Sequence, residues 1–102
     1  MLIVQKFGGS SLANAERIRA AADIIARTLS AGHTPVAVLS AGGGSTDMMI
    51  SGVKELSLSP PKREMDVLLS TGELKSVALM SMQLESMGIP AISLSGRQAG
   101  IR

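Results

Sequence analysis

The sequence predicts an α/β fold, a three-layer αβα arrangement around a mostly parallel sheet. Three observations lead there. Short uninterrupted apolar runs at residues 2–6, 36–39 and 91–94 alternate with segments whose apolar residues recur at helical spacing. Each run closes on a loop rich in glycine and serine. The order is therefore β-α-β-α-α-β, and strands joined by helical crossovers pair in parallel, with helices covering both faces.

The first run, Leu2-Ile3-Val4-Gln5-Lys6, reads as a buried strand stopped by Gly8-Gly9. Asn14 is an N-cap candidate with Glu16 in the following turn. Ile18, Ala22, Ile25 and Leu29 then mark one helical face, which ends at Ala31-Gly32 ahead of Pro35. Val36-Ala37-Val38-Leu39 is the second strand, followed by Ser40-Ala41 and the run Gly42-Gly43-Gly44. Met49, Val53 and Leu56 have the i, i+4, i+7 spacing of a short helix, stopped by Ser59-Pro60-Pro61. A longer helical region covers 62–87, with a bend expected at Ser70-Thr71-Gly72 and with Met80, Leu84 and Met87 on one face. Gly88-Ile89-Pro90 ends it, and Ala91-Ile92-Ser93-Leu94 forms the third strand.

Composition narrows the function. A chain of 102 residues that is 45% hydrophobic and 18% charged has enough apolar surface to fold. Phe7 is the one aromatic residue, so the core is aliphatic and base-stacking platforms are excluded. Ten Lys and Arg against eight Asp and Glu give a formal charge of +2. The basic residues are scattered rather than run together, which argues against nucleic acid. The absence of cysteine removes disulfides, thiolate metal sites and thiol nucleophiles. No signal-like leader and no apolar run of membrane-spanning length is evident, so a cytoplasmic location and no membrane partner are expected.

Ligands of parallel α/β sheets bind beyond the carboxyl ends of the strands. Here those ends read Lys6-Phe7-Gly8-Gly9-Ser10-Ser11, Ser40-Ala41-Gly42-Gly43-Gly44-Ser45-Thr46-Asp47 and Ser95-Gly96. Small residues let backbone amides approach phosphate oxygens, and a strand-end lysine brings a positive charge to them. Neither the Gly-x-x-x-x-Gly-Lys-Ser/Thr pattern nor a Gly-x-Gly-x-x-Gly after the first strand is present.

These segments resemble one family closely. Lys6-Phe7-Gly8-Gly9-Ser10-Ser11 is similar to the opening signature of the aspartokinases, members of the amino-acid kinase superfamily. Val38-Leu39-Ser40-Ala41 through Ser45-Thr46-Asp47 resembles their second loop. Arg63-Glu64-Met65-Asp66-Val67-Leu68-Leu69-Ser70-Thr71-Gly72-Glu73 resembles their most specific motif, and Ser95-Gly96-Arg97-Gln98-Ala99-Gly100-Ile101 the segment after the third strand. The loop usually written Ser-Ala-Met-Gly in the family is Ser40-Ala41-Gly42-Gly43-Gly44 here.

The resemblance implies an amino-acid kinase-like fold and ATP-dependent phosphorylation of the side-chain carboxylate of L-aspartate. It implies that Lys6, Phe7, Gly8 and Gly9 bind the ATP phosphates and that Lys6 is catalytic. It assigns Ser40, Thr46 and Glu73 to aspartate, with Mg2+ held mainly by the nucleotide and no protein metal ligand. Residues 1–102 would form the N-terminal part of the kinase domain, with no regulatory ACT domain. The competing reading is an inactive truncated fragment, or an oligomeric module that binds phosphate or nucleotide. The wide apolar arc of 62–87 fits self-association or a missing C-terminal segment.

The other conspicuous residues have plainer readings. His33, in a helix-to-strand turn with no second ligand beside it, is a solvated turn residue. Arg63, Glu64 and Asp66 are first-turn helix charges. From pattern alone Glu73 would be a first-turn acid of the segment after the bend. Met48, Met49, Met80, Met82 and Met87 are flexible core filler.

Overall fold

The computed structural model describes residues 1–42 and 45–91; side chains are described for these residues except 45–47. The elements are β1 (Leu2–Phe7), a 3-10 turn (Gly9–Leu12), α1 (Ala15–Ser30), β2 (Thr34–Leu39), α2 (Ser45–Leu56) and α3 (Lys62–Ser86). The expected order β-α-β-α-α therefore stands through α3. The third strand expected at 91–94 lies, apart from Ala91, outside the described residues.

β1 and β2 pair in parallel with Leu2 opposite Thr34, Val4 opposite Val36, Lys6 opposite Val38 and Phe7 opposite Leu39. Ser40 N–H donates to Phe7 O at 3.1 Å, so the ladder continues one step past the last pair. β2 begins before the apolar run, because Thr34 N–H donates to Met1 O at 2.9 Å. Pro35, opposite Ile3, has no N–H to donate and sits near the start of the strand, where that loss is tolerated.

Alternation along the strands divides the sheet into two unlike faces. Phe7 and Leu39 are buried and join Leu12, Ala21, Ala22 and Ile25 of the α1 side and Met80 and Leu84 of α3 in one core. Each of the larger side chains, the Phe, Leu, Ile and Met, stabilises by about 1.5–3 kcal/mol relative to exposure. On the other face Leu2 and Val4 are 64% and 63% exposed, and Val36 and Val38 are 42% and 41% exposed. The strands thus differ from the expected buried runs: among the described residues α1 and α3 cover one face only, giving two of the three expected layers. An apolar run marks a strand that can be covered on both sides, but it does not supply the second cover.

Local chemistry explains the helix limits. Asn14 Oδ1 accepts from Arg17 N at 2.9 Å, satisfying one of the free amides at the start of α1, with Glu16 in the first turn. α1 ends as Ala31 N–H returns to Arg27 O and Gly32, at φ +89°, takes the left-handed conformation that suits glycine. α3 ends the same way: Gly88 has φ +81°, and Ile89 N–H reaches back to Leu84 O at 2.9 Å.

α3 runs unbroken from Lys62 to Ser86, through the bend expected at Ser70-Thr71-Gly72. The Ser70 and Thr71 hydroxyls donate to Val67 O and Leu68 O at 2.7 and 2.6 Å, so both side chains fold onto the helix instead of capping a new one. Two further expectations change. Met80 is core and Met49 is half-buried, but Met48 and Met82 are largely exposed. His33 is half-buried rather than solvated, and its buried Nδ1 has no hydrogen-bond partner among the described residues.

Two glycine substitutions should move stability in opposite directions. Gly52 lies inside α2, and a Cβ there would meet nothing within 4 Å. Gly52→Ala is expected to stabilise by about 0.5–1 kcal/mol through helix propensity. Gly32→Ala should destabilise by about 1–2 kcal/mol because of its positive φ. Urea midpoints compared with the parent chain check both. Asn14→Ala, read in the same titration, should cost about 1 kcal/mol.

Candidate functional site at the carboxyl edge of the sheet

Parallel pairing sends both strand exits out at one edge. Phe7 and Leu39 are the last register pair, and Gly8 and Ser40 leave the sheet side by side beyond them. Lys6 is exposed on the face shared with Val4 and Val38. Phe7 is its opposite: the ring is buried in the core, and the carbonyl already accepts from Ser40 N–H. What Phe7 can offer a ligand is therefore its backbone.

Gly8 has φ −78° and ψ 174°, an extended conformation open to any residue, and a Cβ there would meet nothing within 4 Å. Among the described residues neither backbone conformation nor packing calls for glycine at this position, and the missing Cβ leaves room for a close approach. Gly9 opens the 3-10 turn Gly9–Leu12, whose cap residue Gly8 provides no side chain to the first amides. Ser11 N–H returns to Gly8 O at 3.1 Å, and buried Leu12 anchors the turn in the core. Sequence reading missed this turn, because a four-residue 3-10 segment has no hydrophobic period of its own.

The second exit carries half-buried Ser40 and then leads into α2, where Thr46 is in the first turn. Gly43 and Gly44 lie outside the described residues. Glu73 is an exposed residue in the middle of α3. It is not the first-turn acid expected from a bent segment, because the helix does not break. Its neighbour Gly72 is buried against the second exit: a Cβ at 72 would stand 2.8 Å from Ala41 Cβ and 3.0 Å from Met49 Cε. Thr71 Oγ1 also touches Met49 Sδ at 4.0 Å. The backbone at Glu73 is thereby held beside Ser40-Ala41. The sequence pattern suggests a bend at Ser70-Thr71-Gly72; a lone glycine inside a helical pattern is also a sign of close packing.

Lys6–Gly9 and Ser40 thus leave the sheet at one edge, with the backbone before Glu73 packed on Ala41, although Lys6 belongs to the open face of the sheet and α3 packs on the covered face. A cleft of about 240 Å³ lies just to one side, between the Leu12–Ile18 corner and α3, lined in part by Gly42, Lys75 and Ser76. It does not include Lys6 or Glu73. Arg63 and Glu64 pair with each other at 2.7 Å on the exposed first turn of α3, a contact of little energetic weight. Among the described residues no group of three His, Asp or Glu side chains could hold a metal ion, and no helix is long and apolar enough to cross a membrane.

Comparison with known proteins identifies the family and the fold. Residues 1–102 match the model of the amino acid kinase family. The chain is 50% identical over 100 residues to an aspartokinase of Mycolicibacterium smegmatis, covering 98% of this chain and 24% of that protein. It is 50% identical over 101 residues to aspartokinase 2 of Bacillus subtilis (strain 168), covering 99% of this chain and 25% of that protein. A crystal structure of aspartate kinase from Synechocystis superposes with a TM-score of 0.90 at 51% identity, covering 92% of this chain and 16% of that one. The chain therefore spans about a quarter of the length of the curated relatives it matches. The superposition identifies the parallel sheet and its helices as the α/β, amino-acid kinase-like fold expected from the sequence. With a family match that runs its whole length, the chain belongs to the amino acid kinase family.

Proposed function

We propose that residues 1–102 are the N-terminal segment of the kinase domain of an aspartate kinase working in the cytoplasm. The reaction transfers the γ-phosphate of ATP to the side-chain carboxylate of L-aspartate and yields 4-phospho-L-aspartate, the first step toward lysine, threonine and methionine. The observation that carries the reading is the shared strand edge, where Lys6–Gly9 and Ser40 leave the sheet side by side and α3 packs against Ala41 at Gly72, next to Glu73. Identity of about 50% to proteins named aspartokinases supports it.

In this reading the nucleotide's phosphates lie over Gly8 and Gly9, and at Gly8 the missing Cβ leaves room for the backbone to approach them. Phe7 contributes through its backbone, since its ring is committed to the core. The Lys6 ammonium offsets the charge that spreads over the transferring phosphoryl oxygens. Mg2+, carried mainly on the phosphate oxygens, adds further charge neutralisation. Ser40 and Thr46 hold the aspartate from the second exit, and Glu73 binds its α-ammonium. The substrate carboxylate is already a nucleophile, so positioning and charge neutralisation suffice and no covalent enzyme intermediate is needed.

The exposed sheet face favours a second reading in one respect. Uncovered Leu2, Val4, Val36 and Val38 suit a piece that self-associates, or that becomes active only when joined to the remainder of such a domain.

The test is a polypeptide in which residues 1–102 replace the equivalent quarter of a full-length relative. Aspartate-dependent ATP turnover is expected. Lys6→Ala should lower kcat by about 10²-fold or more. Glu73→Gln should mainly raise KM for aspartate, by about tenfold or more. Turnover that ignores Lys6→Ala would contradict the assignment.

A further inference from the structure

Gly72 occupies a costly position for a glycine. It is buried in the middle of α3, where alanine would favour the helix more, and its φ is not positive. The requirement comes instead from what faces it. A Cβ at 72 would approach Ala41 Cβ to 2.8 Å and Met49 Cε to 3.0 Å. The Met49 methyl is the far end of a flexible side chain and can swing aside. The Ala41 methyl cannot, because it is fixed to the backbone one residue past Ser40. One turn along, Ser76 is also buried and donates its hydroxyl to Gly72 O at 3.2 Å, so its polar group stays within α3 and leaves this face slim. Gly8 and Gly52 form a useful contrast, since a Cβ at either would meet nothing within 4 Å.

We infer that Gly72 is a positioning residue for substrate binding: its bare Cα lets α3 close onto Ala41, and that contact sets the separation between Glu73 and Ser40. Glu73 is the next residue on a rigid helix, so a step of α3 away from Ala41 carries its carboxylate away from the substrate loop. A displacement near 1 Å is enough to weaken a geometry-dependent polar contact by about 10²-fold. The inference rests on the reading of Glu73 as the aspartate-binding group.

The test uses the joined polypeptide described above. Gly72→Ala should raise KM for aspartate by about tenfold to 10²-fold, with KM for ATP within about twofold of the parent. Adding Ala41→Gly to Gly72→Ala removes the opposing methyl and should restore most of the aspartate affinity. A general loss of stability would lower both substrates' binding and would not be repaired by a further glycine in a loop. If Gly72→Ala alone does not fold, Ala41→Ser adds bulk to the same contact from the other side and should raise KM for aspartate in the same direction. An unchanged KM in the folded Gly72→Ala protein, or in Ala41→Ser where that variant replaces it, overturns the inference. So does a Gly72→Ala defect that Ala41→Gly leaves in place. Glu73→Gln separates the two levels: if it leaves KM for aspartate unchanged, the underlying reading of Glu73 fails and the positioning role falls with it. If Glu73→Gln acts and Gly72→Ala does not, only the positioning role fails.

Discussion

The parallel pairing of β1 with β2 is the constraint on which the rest depends. Because Phe7 lies opposite Leu39 and Ser40 N–H reaches Phe7 O, two segments far apart in sequence leave the sheet at the same edge. An antiparallel pair would send the Lys6-to-Gly9 exit and the Ser40 exit to opposite ends. A shift of one residue would exchange the faces, exposing Phe7 and driving Lys6 toward the core. The register is held by the alternation itself: Phe7 and Leu39 bury together against α1 and α3, so a slip would cost several kilocalories of apolar burial.

Two positions around this edge show how one residue type answers different physical demands. At Gly8 the backbone is ordinary and no described atom would lie within 4 Å of a Cβ, so the absent side chain leaves open space at the strand exit. At Gly72 the space is filled by Ala41, and the absent side chain serves the closure of α3 on the second exit. A stability measurement responds to the second kind and is nearly blind to the first. That is why the site cannot be inferred from folding energetics alone.

Much of the fold was legible in the sequence, because its signals are local. Asn14 caps α1, Gly32 and Gly88 terminate helices, and Ile18, Ala22 and Ile25 mark the inward face of α1. Misreadings arose where a tertiary contact decided. Gly72 suggested a bend because glycine disfavours helices, whereas the approach of Ala41 explains why a glycine stands inside a continuous helix. Leu2, Val4, Val36 and Val38 looked buried because apolar runs belong to covered sheets, yet only one face is covered by α1 and α3. Met48 and Met82, read as core filler, are exposed, and so are Leu56 and Met87, which follow the helical period without facing the core. The candidate site was legible as a set of strand exits, since glycine, serine and a terminal lysine are visible in order. The role of Ala41 was not, because no local pattern marks a residue whose importance is the methyl it turns toward a helix.

An amide-resolved NMR titration of residues 1–102 with Mg-ATP at millimolar concentration reads whether the carboxyl edge of the β1–β2 pair binds nucleotide phosphates. The account predicts that shift changes concentrate at Lys6, Gly8, Gly9, Ser10 and Ser40, and fade toward Leu2 and Thr34 at the other end of the same strands. No response at the strand exits, or a response centred on Leu2, His33 and Thr34, would contradict it.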